Sequence, residues 1–265
     1  MAALGLWALD SAGARSADPK IPHGSDPGGV PVAIVGRGVD YTRKDVAALL
    51  ARDGEGDAIA WDVADGDPRP FPGPAPGDEA LAGLLAGGVD RARLVVVRMP
   101  VDMPPALAPA LQFVARTPAR IVLLVPPVSA PIPIAPLADA ARRLPGHLLV
   151  VPARLVVVDA VAARAGLLVV AGFRPADGGV AGRGADVAVP LAAGSEPAGL
   201  QADDVAAVRV AALATRIIGS ATVADGAELR ARVLALARRD PGGAGGTPAG
   251  ALILDALTVP SASPR

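Results

Sequence analysis

The chain has no cysteine and no asparagine, only two histidines, and an aromatic content of 2%. Each shortage removes a class of function. Without cysteine there are no disulfides, no thiol nucleophile and no cysteine-bound zinc. Any mechanism with an imidazole base must draw on His23 or His147. His23 lies in a Pro/Gly/Ser-rich loop, Asp18 to Gly29. His147 precedes an apolar run, at the strand end opposite the usual position of a site in α/β folds. Both read as surface or loop histidines. No uninterrupted apolar run reaches the roughly 18 residues of a membrane-spanning helix. The apolar octet Ala2 to Leu9 has no basic residue before it and meets Asp10 at once, a poor signal peptide, so a cytoplasmic location is expected. The formal net charge of −1 and a pI near 6.1 point to neither nucleic acid nor an anionic membrane.

What the chain does have is length and apolar residues: 265 residues, 52% hydrophobic, mean hydropathy +0.44. That suffices for one large α/β domain with a substantial core. Val32 to Val35 is a short apolar run that predicts a buried strand, and Gly36-Arg37-Gly38 breaks it. Thr42 can cap a helix whose Val46, Leu49 and Leu50 share a face, Gly54 and Gly56 end it, and Ala58 to Val63 reads as the next strand. This is a parallel βαβ unit. Asp62, Asp65 and Asp67 then form an acidic turn ahead of the proline-rich stretch Pro68 to Pro76. Three carboxylates invite a calcium reading, but the spacing is not that of an EF-hand, and a plain turn is preferred. The alternation continues with Leu94 to Val97 (strand), Pro105 to Arg116 (helix), Ile121 to Val125 (strand), Ala135 to Arg143 (helix) and Leu148 to Val151 (strand). Further apolar runs follow at Val156 to Val161 and Leu167 to Ala171. The segment Ala202 to Gly219 is apolar nearly all round, which predicts a buried central helix, and Ala227 to Arg238 is amphipathic. Ala251 to Val259 is a last apolar segment, and Ser261 to Arg265 reads as a frayed tail. The pattern predicts a three-layer α/β fold, a mostly parallel sheet with helices on both faces.

Several segments also resemble the subtilisin-like serine proteases (subtilases). Val32-Ala33-Ile34-Val35-Gly36-Arg37-Gly38-Val39-Asp40-Tyr41-Thr42 is similar to that family's V-A-V-I-D-T-G-V-D-Y-T. Trp7-Ala8-Leu9-Asp10-Ser11-Ala12-Gly13-Ala14 resembles the lead-in W-x-L-D-x-I-G-A, placing the chain's beginning near a mature start with no folding propeptide. Gly77 to Gly87 aligns with the helix that opens H-G-T-H-V-A-G. Gly184 to Pro190 is similar to G-x-x-V-D-V-A-A-P-G. Ala202 to Leu213 aligns with G-T-S-x-A-A-P-x-V-A-A-L. The resemblance runs from Trp7 to about Leu257 and implies a subtilisin-like fold. It divides the chain into a lead-in and loop (1–30), a subtilase-like domain (31–259) and a tail (260–265).

The same alignment places Gly36 at the family's catalytic aspartate, Gly77 at its histidine and Asp204 at its nucleophilic serine, with Val208 in place of a proline. After the strand Leu148 to Val151 the family has A-G-N, whose asparagine donates to the oxyanion hole. Here the run is Pro152-Ala153-Arg154-Leu155. A serine protease needs nucleophile, base, orienting acid and oxyanion hole together, and the resemblance implies that all of them are missing. The segments that grip a peptide as an added strand read Val125-Pro126-Pro127 on one wall, with Pro100 near the other, and proline has no N–H to offer such a strand.

The implied function is that of a pseudoprotease without catalytic residues, cofactor or metal. It would act as a binding, scaffolding or regulatory subunit for a protein partner, an active subtilase being one candidate. Asp78, Glu79 and Asp203, with Arg37 beside them, outline the vestigial pocket, and Asp204 completes its cluster of four acids. Their plain roles are helix N-terminal acids and dipole compensation. Their functional roles would be binding a cation or supplying a base of raised pKa. The alternative class is an α/β enzyme of another kind, either a hydrolase using those acids or a nucleotide-binding protein using Gly36-Arg37-Gly38. The latter lacks the third glycine, since Tyr41 stands there, and only Asp62 is available for the ribose.

Overall fold

In a computed structural model, residues 18–157, 164–174, 184–239 and 252–254 are described. The expected lead-in Trp7 to Ala14, the end of the run Val156 to Val161, and the tail lie outside them.

Among the described residues, a nine-stranded sheet carries the fold. It comprises β1 (Val30–Gly36), β2 (Ala60–Asp62), β3 (Ala92–Arg98), β4 (Ile121–Leu124), β6 (Leu148–Pro152), β8 (Leu167–Phe173), β9 (Val187–Pro190), β10 (Arg238–Arg239) and β11 (Leu252–Ile253). A separate two-stranded sheet pairs β5 (Ile132–Pro133) with β7 (Val156–Val157). The order is β10-β11-β9-β8-β6-β4-β1-β3-β2, and every pairing in the large sheet is parallel except β10 with β11. The helices are α1 (Lys44–Ala47), α2 (Glu79–Gly88), α3 (Leu107–Val114), α4 (Ile134–Arg143), α5 (Ala202–Ser220) and α6 (Gly226–Ala235).

Strands covered on both faces should be apolar without alternation, and β1, β4, β6 and β8 are. Their side chains divide by parity into two cores. Val32 and Ile34 point with Leu94 and Val96 toward α2, α5 and α6, whereas Ala33 and Val35 point with Val95 and Val97 toward α3 and α4. This is the expected three-layer arrangement. Helix α5 lies buried across the sheet. Ala206, Ala207, Ala211 and Ala214 are 0% exposed, and their small size lets the helix lie close over the strands. Among the described residues, no helix is long and apolar enough to cross a membrane.

Four sequence expectations change. First, Thr42 caps no helix: α1 is a single turn behind Arg43, and the Thr42 hydroxyl turns back to Asp40. The chain leaves the helix early because Leu50 bridges to Leu94, and the Ala51 N–H donates to the Leu94 carbonyl. Second, Gly54 and Gly56 belong to a turn held by the Asp53 carboxylate, which accepts from the Glu55 and Asp57 amides. Third, the strand predicted over Ala58 to Val63 is limited to β2, since Asp62 closes a turn by accepting from the Ala64 and Asp65 amides. Fourth, the helix predicted over Ala227 to Arg238 stops at Ala235, because Arg238 pairs into the sheet edge opposite Ile253.

The topology positions the site. From β1 the chain runs out to β2 at the sheet's edge, returns to β3 between β2 and β1, then crosses to β4 on the other side. The loops after β1, β3, β4, β6 and β8 therefore emerge at the same carboxyl edge, where parallel sheets place their crevices.

Candidate functional site

At that edge the structure brings together the turn after β1, the start of α2, the loop after β6 and the start of α5. Asp78 immediately precedes α2 and is 2% exposed. Its amide donates to the Gly38 carbonyl at 2.8 Å. Its Oδ2 accepts from the Arg37 amide at 2.6 Å, while its Oδ1 is buried without a partner. A Cβ on Gly36 would lie 2.2 Å from that Oδ2, so the Asp78 carboxyl occupies the space a side chain at position 36 would need. Burial pushes the Asp78 carboxyl up to about 7, opposed by the Arg37 amide and charge and reinforced by Glu79 and Asp204. Gly77 is packed as tightly: a Cβ there would meet Glu79 Oε1 at 2.4 Å and the Gly38 carbonyl oxygen at 2.7 Å.

Asp78 and Glu79 were expected to serve their own helix. Instead, neither side chain acts as a conventional cap. Glu79 Oε1 accepts from the Asp40 amide at 2.6 Å. The two acids tie α2 to the segment Arg37 to Asp40, and the Val39 amide in that segment goes to the Pro70 carbonyl. Arg37 itself is exposed. A dinucleotide turn needs these amides free for phosphate. Here the Arg37 amide is held by Asp78, the Val39 amide by the Pro70 carbonyl and the Asp40 amide by Glu79, and the following helix is one turn long, so the geometry speaks against nucleotide binding.

The start of α5 is equally occupied. Asp204, 2% exposed, receives the Arg154 guanidinium on Oδ1, from Nε at 2.9 Å and Nη2 at 2.7 Å, and the Gln201 amide on Oδ2 at 3.0 Å. Asp203 accepts the Arg154 amide at 2.8 Å and the Gly172 amide at 2.8 Å. Burial raises the Asp203 pKa, with those amides opposing. Arg154 is a residue that sequence reasoning noted but gave no role. The available signal was physical: an aspartate inside an apolar helix needs a cation, and the chain offers one directly after β6.

The four acids do not converge on an ion. Among the described residues, the single group of three or more potential ligands within 4.8 Å of one another is Asp18, Asp62 and Asp65. There Arg98 already provides the counter-charge, at 2.6 Å from Asp62 and 2.9 Å from Asp65, while Asp67 pairs with Arg69. The acidic turn is thus held by arginines and main-chain amides. His147 directly precedes β6, as expected, and burial lowers its pKa. His23 is exposed and lies 3.7 Å from Asp57.

The two walls around this edge are joined to each other. Asp102, at φ 52°, donates its amide to the Pro127 carbonyl at 2.9 Å. Its two carboxylate oxygens accept from the Ser129 amide and, at 2.6 Å, the Ser129 hydroxyl. Pro126 and Pro127 are buried beneath this clasp. An added strand would have to displace these bonds as well as tolerate the prolines.

No protein-family model matches the chain, and no curated protein matches it in sequence. Solved structures do. The A-subunit of the AB5 toxin from E. coli is 15% identical with a TM-score of 0.59, over 87% of this chain and 91% of that one. A cold adapted subtilisin-like serine proteinase is 13% identical with a TM-score of 0.60, over 91% of this chain and 94% of that one. The architecture of this chain is therefore a subtilisin-like fold.

Proposed function

We propose that this chain is a catalytically inactive subtilisin-like domain that works as a binding, scaffolding or regulatory subunit of a protein partner, with an active subtilisin-like protease as one candidate. The observation that carries the reading is the state of Asp204. The resemblance aligns it with the nucleophilic serine, and it is buried in a two-point ion pair with Arg154, both oxygens engaged. A carboxylate there is no nucleophile for a peptide carbonyl, and its charge opposes the oxyanion that acyl transfer must stabilise. Gly36 and Gly77 supply neither acid nor base, and a peptide strand entering between the walls would have to displace the bonds of Asp102 to Pro127 and Ser129.

Partner contact then falls to surfaces other than the gap between those two walls. The candidate stretches are Ser16 to Gly29, of which residues 18–29 are described, and Pro68 to Pro76. Within the second, Pro70 is buried and Phe71 packs edge-on against Tyr41 at 5.5 Å between ring centres, which anchors the loop and leaves Gly73, Pro74, Ala75 and Pro76 exposed. Sizing the protein purified from its native cells tests the role. A complex larger than the monomer is expected, and its loss when Gly73 to Pro76 is deleted would assign the contact to that loop. Survival of the complex would keep the role and exclude the loop. A lone monomer would contradict the role.

A further inference from the structure

Asp78 is the buried acid that the account above leaves without a chemical task. Its surroundings are unusual for a carboxylate. One oxygen takes a main-chain amide and the other takes nothing. No side-chain cation is bonded to it. The charged groups facing it are Arg37 from the turn after β1, which is exposed, Glu79 from α2, and Asp204 from α5, itself neutralised by Arg154. Directly after β4, the apolar Val125 side chain lies 3.0 Å from where a Gly36 Cβ would stand. An ionised carboxylate with an orphaned oxygen, two acidic neighbours and no bonded cation is costly to bury. The neutral acid leaves a single hydroxyl unsatisfied, a smaller cost.

We propose that Asp78 is a proton-linked wedge: in its neutral form it fills the space above Gly36 and fastens the turn after β1 to the start of α2, and its ionisation puts an uncompensated charge into that buried junction and destabilises the fold. The inference holds whatever partner the domain has. It predicts a direction for pH. The folded protein keeps this proton up to about 7, whereas an unfolded aspartate releases it near 3.8. The folded state therefore loses stability as pH rises from about 4 to about 7, and the full loss is present above 7.

The test uses the full chain. Carboxyl-carbon NMR of aspartate-labelled protein should show one resonance, assigned to Asp78, titrating with a midpoint near 7. A midpoint in the ordinary range near 4 would overturn the proposal. In parallel, Asp78→Asn, which mimics the neutral acid, should unfold at the same urea concentration as the wild type near pH 4 and at a higher one at pH 8. Equal midpoints at both pH values would also overturn it. If Asp78→Asn does not fold, the wild-type titration alone decides.

Discussion

Replacing Gly36 with aspartate is expected to cost about 3–5 kcal/mol, the penalty of an uncompensated buried charge beside an overpacked contact, enough to leave much of the chain unfolded. The new Cβ would lie 2.2 Å from Asp78 Oδ2, an approach that no rotamer at position 36 relieves because the clash is at the first side-chain atom. The added carboxylate would then share a dry pocket with Asp78, also close to Glu79 and Asp204. The subtilases that this segment resembles carry an aspartate at the aligned position, so the expected failure is specific to this chain. The compensating experiment is a double-mutant cycle. Gly36→Asp combined with Asp78→Gly should recover part of the lost stability, because the second substitution vacates the contested volume. A loss in the double variant equal to the sum of the Gly36→Asp and Asp78→Gly losses, each measured by urea unfolding, would show that the two positions are not coupled.

Arg154→Met should lower stability by about 2–3 kcal/mol, or about 5–10 °C in melting temperature for a domain of this size. The change leaves Asp204 buried at 2% exposure with only the Gln201 amide as partner. Breaking a fully buried pair costs about 3–5 kcal/mol. The lower figure applies because the Arg154 side chain is 34% exposed and solvent already screens it. The Arg154 amide still reaches Asp203, so the loop should keep its place. Pairing Arg154→Met with Asp204→Leu should restore most of the loss, since the uncompensated charge is then gone. Differential scanning calorimetry of the three variants separates this account from one in which Arg154 matters only for packing, where the double variant would be no better than the single.

The fold was legible because its strands are buried on both faces. Runs such as Val32 to Val35 and Leu148 to Val151 have no alternation to misread, and the apolar circumference of α5 announced its central place. The boundaries were less legible wherever a long-range bond overruled local propensity. Leu50 shortens α1 by bridging to Leu94, and Arg238 ends α6 early by pairing with Ile253. The small sheet of β5 and β7 has two residues per strand, too few for any periodicity.

The site divides in the same way. Residue types at Gly36, Gly77 and Asp204 could be read from the sequence. What their neighbours do with the space could not. Asp78 and Glu79 look like ordinary helix-start acids, and only the tertiary packing turns them across to the amides of Arg37 and Asp40. The Asp102–Ser129 clasp joins residues 27 positions apart on two loops with no shared pattern.

The central claim is that a subtilisin-like frame here carries no serine-protease chemistry, and an active-site-directed fluorophosphonate tests it most directly. Such a probe needs an activated hydroxyl and an oxyanion hole. Incubated with the purified chain beside an active subtilisin-like protease, followed by intact-mass measurement, it should add its mass to the protease and none to this chain. Stoichiometric, saturable addition to a single residue of this chain, abolished by prior heat unfolding, would contradict the account.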